Sequence, residues 1–320
     1  MDTSLMDKYE FVINPDARRW VDIVKMAEEE LGWLVSKNDY NTYVQGYGKD
    51  GTLTALFLIE PGTRETVASV LGASIETETH DKLMTIGYFY VKKELRGQGI
   101  GNDLFKQLVE EKKGTNMFLT ADPAMSVKYA AKHGFVEYSW HISVLKANLS
   151  DIELPDFEVD NSIELHNIDH VAWDQIVAYD EFVQGNVKRS NFLKGFLAQD
   201  GAQSKFVMND MGTVIGYCNI RPVGIEENDL MIAPFYASDK KVAAVLLKGT
   251  LQAFGNNLQS FNSILMCPPR HNQEAMDLMN TLASGKVETV VSYPRQFTKA
   301  VIPAKEAMIY SITDYVLGHA

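Results

Sequence analysis

Cysteine is nearly absent: 320 residues contain only Cys218 and Cys267, each inside an apolar, strand-like run and neither with a CxxC partner. That excludes a disulfide scaffold and a thiolate metal cluster, and it fits reduced core thiols in a reducing compartment. No stretch approaches the roughly 18 consecutive apolar residues of a membrane span. The start, Met1-Asp2-Thr3-Ser4-Leu5, has neither the basic patch nor the apolar core of a secretory signal. These absences point to a cytoplasmic protein, in which the Asn148-Leu149-Ser150 sequon is a chance match. Seven histidines are scattered, and His166 and His170 stand four apart with no third ligand in view, so no metal is expected. At Gly97–Gly101 the spacing is neither that of a P-loop, since no Gly-Lys-Ser/Thr follows, nor the G-x-G-x-x-G of a dinucleotide fold.

Positive charge is in deficit. Thirty Lys and Arg face 42 Asp and Glu, a net charge of −12. Residues 1–150 carry 17 basic and 21 acidic side chains, and residues 151–320 carry 13 and 21. Such a surface disfavours nucleic acid and anionic membrane as partners and is compatible with a cationic acceptor such as an amine. An apolar content of 46% and a charged content of 22% are those of a globular chain, long enough for two domains.

What is present is a glycine turn, Arg96-Gly97-Gln98-Gly99-Ile100-Gly101, between the β-rich run Met84–Val91 and a helical run from Asn102 to Lys113. Strand, glycine turn and helix start form an anion grip: glycines let the backbone approach closely, and the free amides of the first helical turn face the ligand. An arginine adds charge-assisted contacts. The R-x-x-G-x-G spacing resembles the pyrophosphate-binding signature of the GNAT superfamily of acetyl-CoA-dependent N-acetyltransferases.

The elements around the turn are similar to the GNAT order over residues 9–146. Strands are expected at Tyr9–Asn14, Leu53–Ile59, Thr66–Thr77, Leu83–Val91, Met117–Thr120 and Phe135–Leu145. Helices are expected from Pro15-Asp16 to Gly32, over Ser36–Gly46, after the glycine turn, and over Ser126–His133. Polar residues 147–161 read as a linker.

The second half begins again. Strands are expected at Ile163–Leu165, Lys205–Met208, Thr213–Ile220, Asp229–Ile232, Ser263–Cys267 and Met308–Leu317. Helices are expected at Val171–Phe182 and Ser190–Ala198, after a Ser238-Asp239 cap, and at Asn272–Ala283. This repeated order implies a tandem duplication. Where the first half has its glycine turn, the second has Ala233-Pro-Phe-Tyr-Ala237, with no glycine and with a proline that lacks an amide donor. Through that stretch, Tyr179-Asp180 and Lys188-Arg189 it resembles the degenerate second domain of some tandem GNAT proteins. The expected fold class is therefore α/β (α+β), with two tandem GNAT-like domains, 1–150 and 151–320. Each would be a mixed, mostly antiparallel twisted sheet flanked by helices.

The GNAT resemblance assigns the cofactor, acetyl-CoA, to Arg96, Gly97, Gln98, Gly99, Ile100 and Gly101 for its pyrophosphate. It assigns the backbone of Phe89, Tyr90 and Val91 to the pantetheine arm, held as an added strand. It also implies a tyrosine acid five residues before the phenylalanine of Tyr-x-x-x-Gly-Phe. Here Tyr129 stands six residues before Phe135, and Ala130 takes the expected place, a rotation of about 100° on a helix. Ser126 and His133 share the face of Ala130. Tyr129 is the candidate general acid. Trp33, Tyr40 and Tyr88 are candidates for the acceptor site, and Tyr40, Tyr43 and Tyr47 also follow core-helix spacing. No base stands out; Glu78, His80 and Asp81 lie in a solvated turn before the Leu83–Val91 strand. The expected function is acetyl transfer from acetyl-CoA to a primary amine of a small molecule or peptide, by direct attack in a ternary complex. An acyl-CoA-binding protein without turnover, and an acyltransferase using longer acyl groups or amino-acid acceptors, are the alternatives.

Overall fold

The computed structural model describes residues 8–48, 52–78, 82–152, 154, 158–160 and 162–319. In the first half the order is β1 (Glu10–Ile13), α1 (Arg18–Leu31), α2 (Asp39–Tyr47), β2 (Leu53–Ile59), β3 (Thr66–Glu76), β4 (Lys82–Val91), α3 (Ile100–Glu110), β5 (Asn116–Thr120), α4 (Pro123–His133) and β6 (Glu137–Asn148). The second half has α5 (Trp173–Gln184), α6 (Ser190–Leu197), β7 (Gln203–Met208), β8 (Val214–Val223), β9 (Asp229–Ala237), α7 (Lys240–Gln252), β10 (Ser263–Met266), α8 (Gln273–Leu282), β11 (Glu288–Phe297) and β12 (Ile309–Ser311). No described helix is long and apolar enough to cross a membrane.

The strands form one sheet in the order β1-β2-β3-β4-β5-β11-β6-β10-β9-β8-β7, with β12 on β9. Most neighbours are antiparallel; β4 with β5 and β9 with β10 are parallel. The two halves are thus mixed α/β units whose sheets are fused by exchange. β11 of the second half lies between β5 and β6 of the first, and β6 pairs with β10.

Helices cover both faces. On one face α1, α2, α5 and α6 share a continuous core spanning both halves, with Trp20, Tyr43, Ile176, Phe192 and Phe196 fully buried. On the other, α3 and α4 cover the first half through Leu104, Phe105, Leu108 and Tyr129, and α7 and α8 cover the second through Leu246, Leu247, Leu251 and Met279. Buried ion pairs stitch the shared core. Asp39 on α2 meets Arg221 on β8 at 2.7 Å, and Asp180 on α5 meets Arg189 at 2.7 Å. Charges this deep persist only when paired and hydrogen-bonded. Gln199 completes the first pair, bonding Asp39 at 3.1 Å and Arg221 at 2.9 Å.

Four segments differ from the sequence expectation; of Met308–Leu317, expected as a strand, only Ile309–Ser311 forms one. Ile163–Leu165 forms no strand; only His166 bridges to Phe206. β9 runs on through Ala233–Ala237, where the sequence pattern suggested a turn. β11 was hidden by Pro294, since proline argues against an interior strand. It fits because the ladder with β6 shifts register between Pro294 and Gln296, while the Pro294 carbonyl still accepts from Ala121 N at 2.8 Å. His80 and Asp81 lie outside the described residues.

Candidate functional site

β4 and β5 run side by side only from Leu83↔Asn116 to Ile86↔Leu119. Beyond Ile86 they diverge, and the β5-facing edge of Gly87–Val91 has no ladder partner among the described residues. On its other edge β4 bulges against β3: Ser69 pairs with Tyr90 and Leu71 with Gly87, so Val70 faces both Tyr88 and Phe89. Tyr88 adopts φ +49°, rare for a bulky residue. The distortion is held from several sides. Ser69 Oγ donates to the Tyr88 carbonyl at 2.7 Å, and the Tyr88 ring packs edge-on to Trp20 at 4.4 Å. Its hydroxyl lies 3.1 Å from that of Tyr43, which donates in turn to Asp314. Burial, with Asp39 nearby, raises the Asp314 carboxyl above its ordinary range.

The same geometry recurs in the second half. β8 and β9 shift register between Cys218↔Phe235 and Ile220↔Ile232, and Asn219 Nδ2 donates to the Ala233 carbonyl at 2.7 Å. β9 leaves β10 after Ile232↔Met266. There the freed edge is taken: β12 pairs antiparallel with Tyr236 and Phe235. One copy of the splayed strand is therefore filled by a peptide, and the other opens into a cleft of ≈ 480 Å³.

At the outer end of the cleft lies the glycine turn. Gly97 and Gly99 have φ +79° and +93°, and a Cβ on either would meet nothing within 4 Å. That backbone is one L-residues avoid. Gly101 serves a different need, since its Cβ would come within 2.9 Å of Val91 and 3.1 Å of Phe89. Helix α3 can therefore sit close on β4 with its first amides at the cleft. Gln98 turns its amide back to the Glu94 carbonyl at 2.9 Å, and Ile100, the first residue of α3, is buried. Arg96 lines the cleft, but its guanidinium is engaged. Nε donates to the Val91 carbonyl at 2.8 Å, and a terminal nitrogen meets Glu30 at 2.7 Å. Glu30 also accepts from Tyr90 Oη at 2.5 Å. Burial and the Glu30 contact push the Tyr90 phenol well above its ordinary value. Arg96 thus ties the turn to β4 and α1, which the sequence motif does not reveal.

One wall is α4, which presents Met125, Lys128, Tyr129 and Lys132 to the cleft. Tyr129 therefore reaches the cleft despite its one-residue offset, packed on Phe105 at 5.5 Å and Phe89 at 6.4 Å. Burial raises its phenol, which stays protonated at neutral pH. Ala130 is half-buried, and Ser126 is buried. The His133 ring packs at a tilt against Phe105 at 4.5 Å, its imidazole lowered by burial and by nearby lysines. Opposite, Trp33 Nε1 donates to Tyr293 Oη at 3.1 Å, and the Tyr293 and Tyr315 rings are parallel. Burial carries the Tyr293 phenol up to about 12, against the lowering effect of the Trp33 contact. Tyr293 and Tyr315, with Val316, come from the second half, and no motif flagged them. The inner end is stopped by Val316, whose carbonyl would lie 2.1 Å from a Cβ on Gly87.

Of the acceptor-site candidates, Trp33 lines the cleft. Tyr88 contributes its bulged backbone while its ring is core. Tyr40 is buried against Trp20 and donates to the Pro15 carbonyl at 2.7 Å, outside the cleft. Glu78 accepts from Asn186 at 2.7 Å, remote from the cleft. Both cysteines are buried, their thiols raised by burial.

The description "Acetyltransferase (GNAT) domain" matches residues 176–310, the half without the glycine turn. The description "Protein of unknown function (DUF1248)" matches residues 6–183. An uncharacterized protein of Caenorhabditis elegans is 26% identical over 227 residues, 68% of this chain and 71% of its own. A Pyrococcus horikoshii protein provisionally named an acetyltransferase superposes with a TM-score of 0.69 at 17% identity, covering 96% of both chains. A tandem GNAT protein from the clavulanic acid biosynthesis pathway gives 0.64 at 13%, covering 96% of this chain and 100% of its own. N-myristoyltransferase of Saccharomyces cerevisiae, solved with myristoyl-CoA, gives 0.61 at 10%, covering 98% and 87%. With the splayed strand and its duplicated bulge, these matches give the chain a tandem GNAT fold and make it a member of the DUF1248 family.

Proposed function

We propose that the cleft binds acetyl-CoA and that the protein is an N-acetyltransferase acting on a primary amine in a ternary complex. One observation carries the reading. The second half fills the freed edge of β9 with an extended peptide, and the equivalent edge of β4 is open beside an amide-rich glycine turn. An extended pantetheine arm is the ligand counterpart of β12, held by main-chain bonds as an added strand.

The residues fit the group. The amides at the start of α3 and the cations Lys128 and Lys132 suit a diphosphate and its neighbouring phosphate. Phe89, Tyr90 and Val91 offer backbone to the arm. When bound, the thioester supplies an activated acyl group that passes to a neutral amine with the thiol as leaving group. A β4 amide near the bulge would polarise the carbonyl, a contribution worth about 2.7–4 kcal/mol at comparable donors. Tyr129, held neutral by its apolar surroundings, would donate a proton to the departing sulfur. Residues 1–150 would supply the cofactor face, and residues 151–320 the Tyr293–Tyr315 wall and the Val316 stop. The stop shortens the slot, which favours acetyl over long acyl groups.

The test is calorimetry of coenzyme A on the intact protein, followed by thiol release from acetyl-CoA across an amine panel. Heat of binding with acyl-dependent thiol release supports the reading, and absence of coenzyme A binding ends it. Tight binding with no release on any amine would instead favour a binding protein.

A further inference from the structure

Asp122 is the only carboxylate among the described residues lining the cleft; the cleft cations are Arg96, Lys128 and Lys132. Those cations lie on the glycine turn and along α4 beyond Asp122. Trp33, Tyr293 and Tyr315 form an uncharged aromatic wall of the same cleft. Position matters as much as charge. β4 and β5 run parallel with Leu83 level with Asn116 and Ile86 level with Leu119. Continuing that register past the divergence puts Asp122 level with Phe89, across the slot from the bulge. Asp122 is exposed, lines the cleft and caps α4, where Oδ1 accepts from Ala124 N at 2.8 Å. Beside it the Thr120 hydroxyl, on the cleft wall, is buried without a protein partner.

We infer that the space between Asp122 and the Trp33–Tyr293–Tyr315 wall receives the acceptor, and that the acceptor is a cationic primary amine carried on an apolar or aromatic body. The inference rests on the acetyl-transfer reading and adds the substrate class to it. A carboxylate and aromatic faces together select ammonium over neutral or anionic groups, by charge and by cation–π attraction. Three rings with little charge around them select an apolar body. An amino acid or acidic peptide end would bring its own carboxylate against Asp122, with Arg96 engaged by Glu30 and Lys128 and Lys132 assigned to the cofactor's phosphates. Asp122 is thus the ammonium anchor, the bound cation giving a proton to water at this exposed end before the neutral amine attacks, and Trp33 and Tyr293 determine specificity.

The test uses Asp122→Asn, because Asn and Asp cap helices equally well, so α4 keeps its start and only the charge is lost. Tyramine, phenethylamine and hexylamine are compared with glycine and glutamate, by thiol release from acetyl-CoA and by calorimetry on protein saturated with coenzyme A. The expected result is binding and turnover of the three apolar amines, with little of the amino acids. Asp122→Asn should raise KM for those amines at least tenfold while coenzyme A affinity stays within twofold, and Trp33→Leu should weaken the aryl amines more than hexylamine. Equal use of amino acids, an unchanged KM in Asp122→Asn, or no binding of any amine to coenzyme A-loaded protein overturns the inference while leaving cofactor binding intact. Loss of coenzyme A binding in the unaltered protein is a separate result, and it removes the acetyl-transfer reading itself.

Discussion

Replacing Gly99 by alanine tests the anion grip at its most specific point. Gly99 has φ +93° and is the residue before α3, and an added methyl would meet no atom within 4 Å. Opposition to the substitution therefore comes from the backbone alone. For an L-residue such a conformation costs about 1–2 kcal/mol. The chain can keep it and lose that much stability, or rotate the turn and carry its amides off the line of the ligand. A hydrogen bond to a charged group contributes about 1.5–3 kcal/mol. Loss of one such bond would weaken coenzyme A roughly 10- to 150-fold, at about 1.4 kcal/mol per decade. Calorimetric titration measures the affinity, and thermal unfolding reports the stability. A Kd within threefold of the parent, with an unchanged Tm, would refute the reasoning: the glycine would be dispensable and the anion held elsewhere.

Other expectations follow from the geometry. Asp39→Ala leaves the buried Arg221 guanidinium without its carboxylate, and should destabilise the fold by about 3–5 kcal/mol, read from a urea midpoint. Tyr129→Phe keeps the ring packed on Phe105 and removes the proton donor; acetyl transfer should lose about 100-fold in kcat with coenzyme A affinity unchanged, and an unaltered kcat would remove the acid role. His319 is held well below its ordinary 6.5 by burial, with Arg295 and Arg189 adding to it. Its imidazole is neutral in the folded state and protonates first in the unfolded chain. The associated stability is full above 6.5 and is lost as pH falls from there toward the folded value. Denaturation at several pH values between about 7 and 5 should show His319→Gln with a flatter profile than the parent, and parallel profiles would contradict the burial argument.

Much of the local structure is readable along the chain. Leu104, Phe105 and Leu108 recur at helical spacing and bury α3 as that spacing requires. Gly97, Gly99 and Gly101 mark a turn that only glycine's backbone freedom and small size permit. Asp239 caps α7 by accepting from Lys241 N and Val242 N. Such features depend on neighbours a few residues apart, so periodicity and residue type reveal them. Element order likewise exposed the duplication, although β11 escaped because its Pro294 is accommodated only by a register shift against β6.

What the sequence settles by itself is local: an α/β chain in two similar halves, one with a glycine turn before a helix and one without. What the tertiary structure decides is which distant residues meet. Arg96 is drawn to Glu30, 66 positions away, and Trp33 to Tyr293, 260 positions away. The exchange of β11 and β6 brings the second half's Tyr293 to the first half's cleft, and the course of the chain after β12 sets Val316 against Gly87. None of these contacts has a sequence signal. Each depends on sheet register and chain crossing, which closing a packed core fixes and residue spacing does not encode.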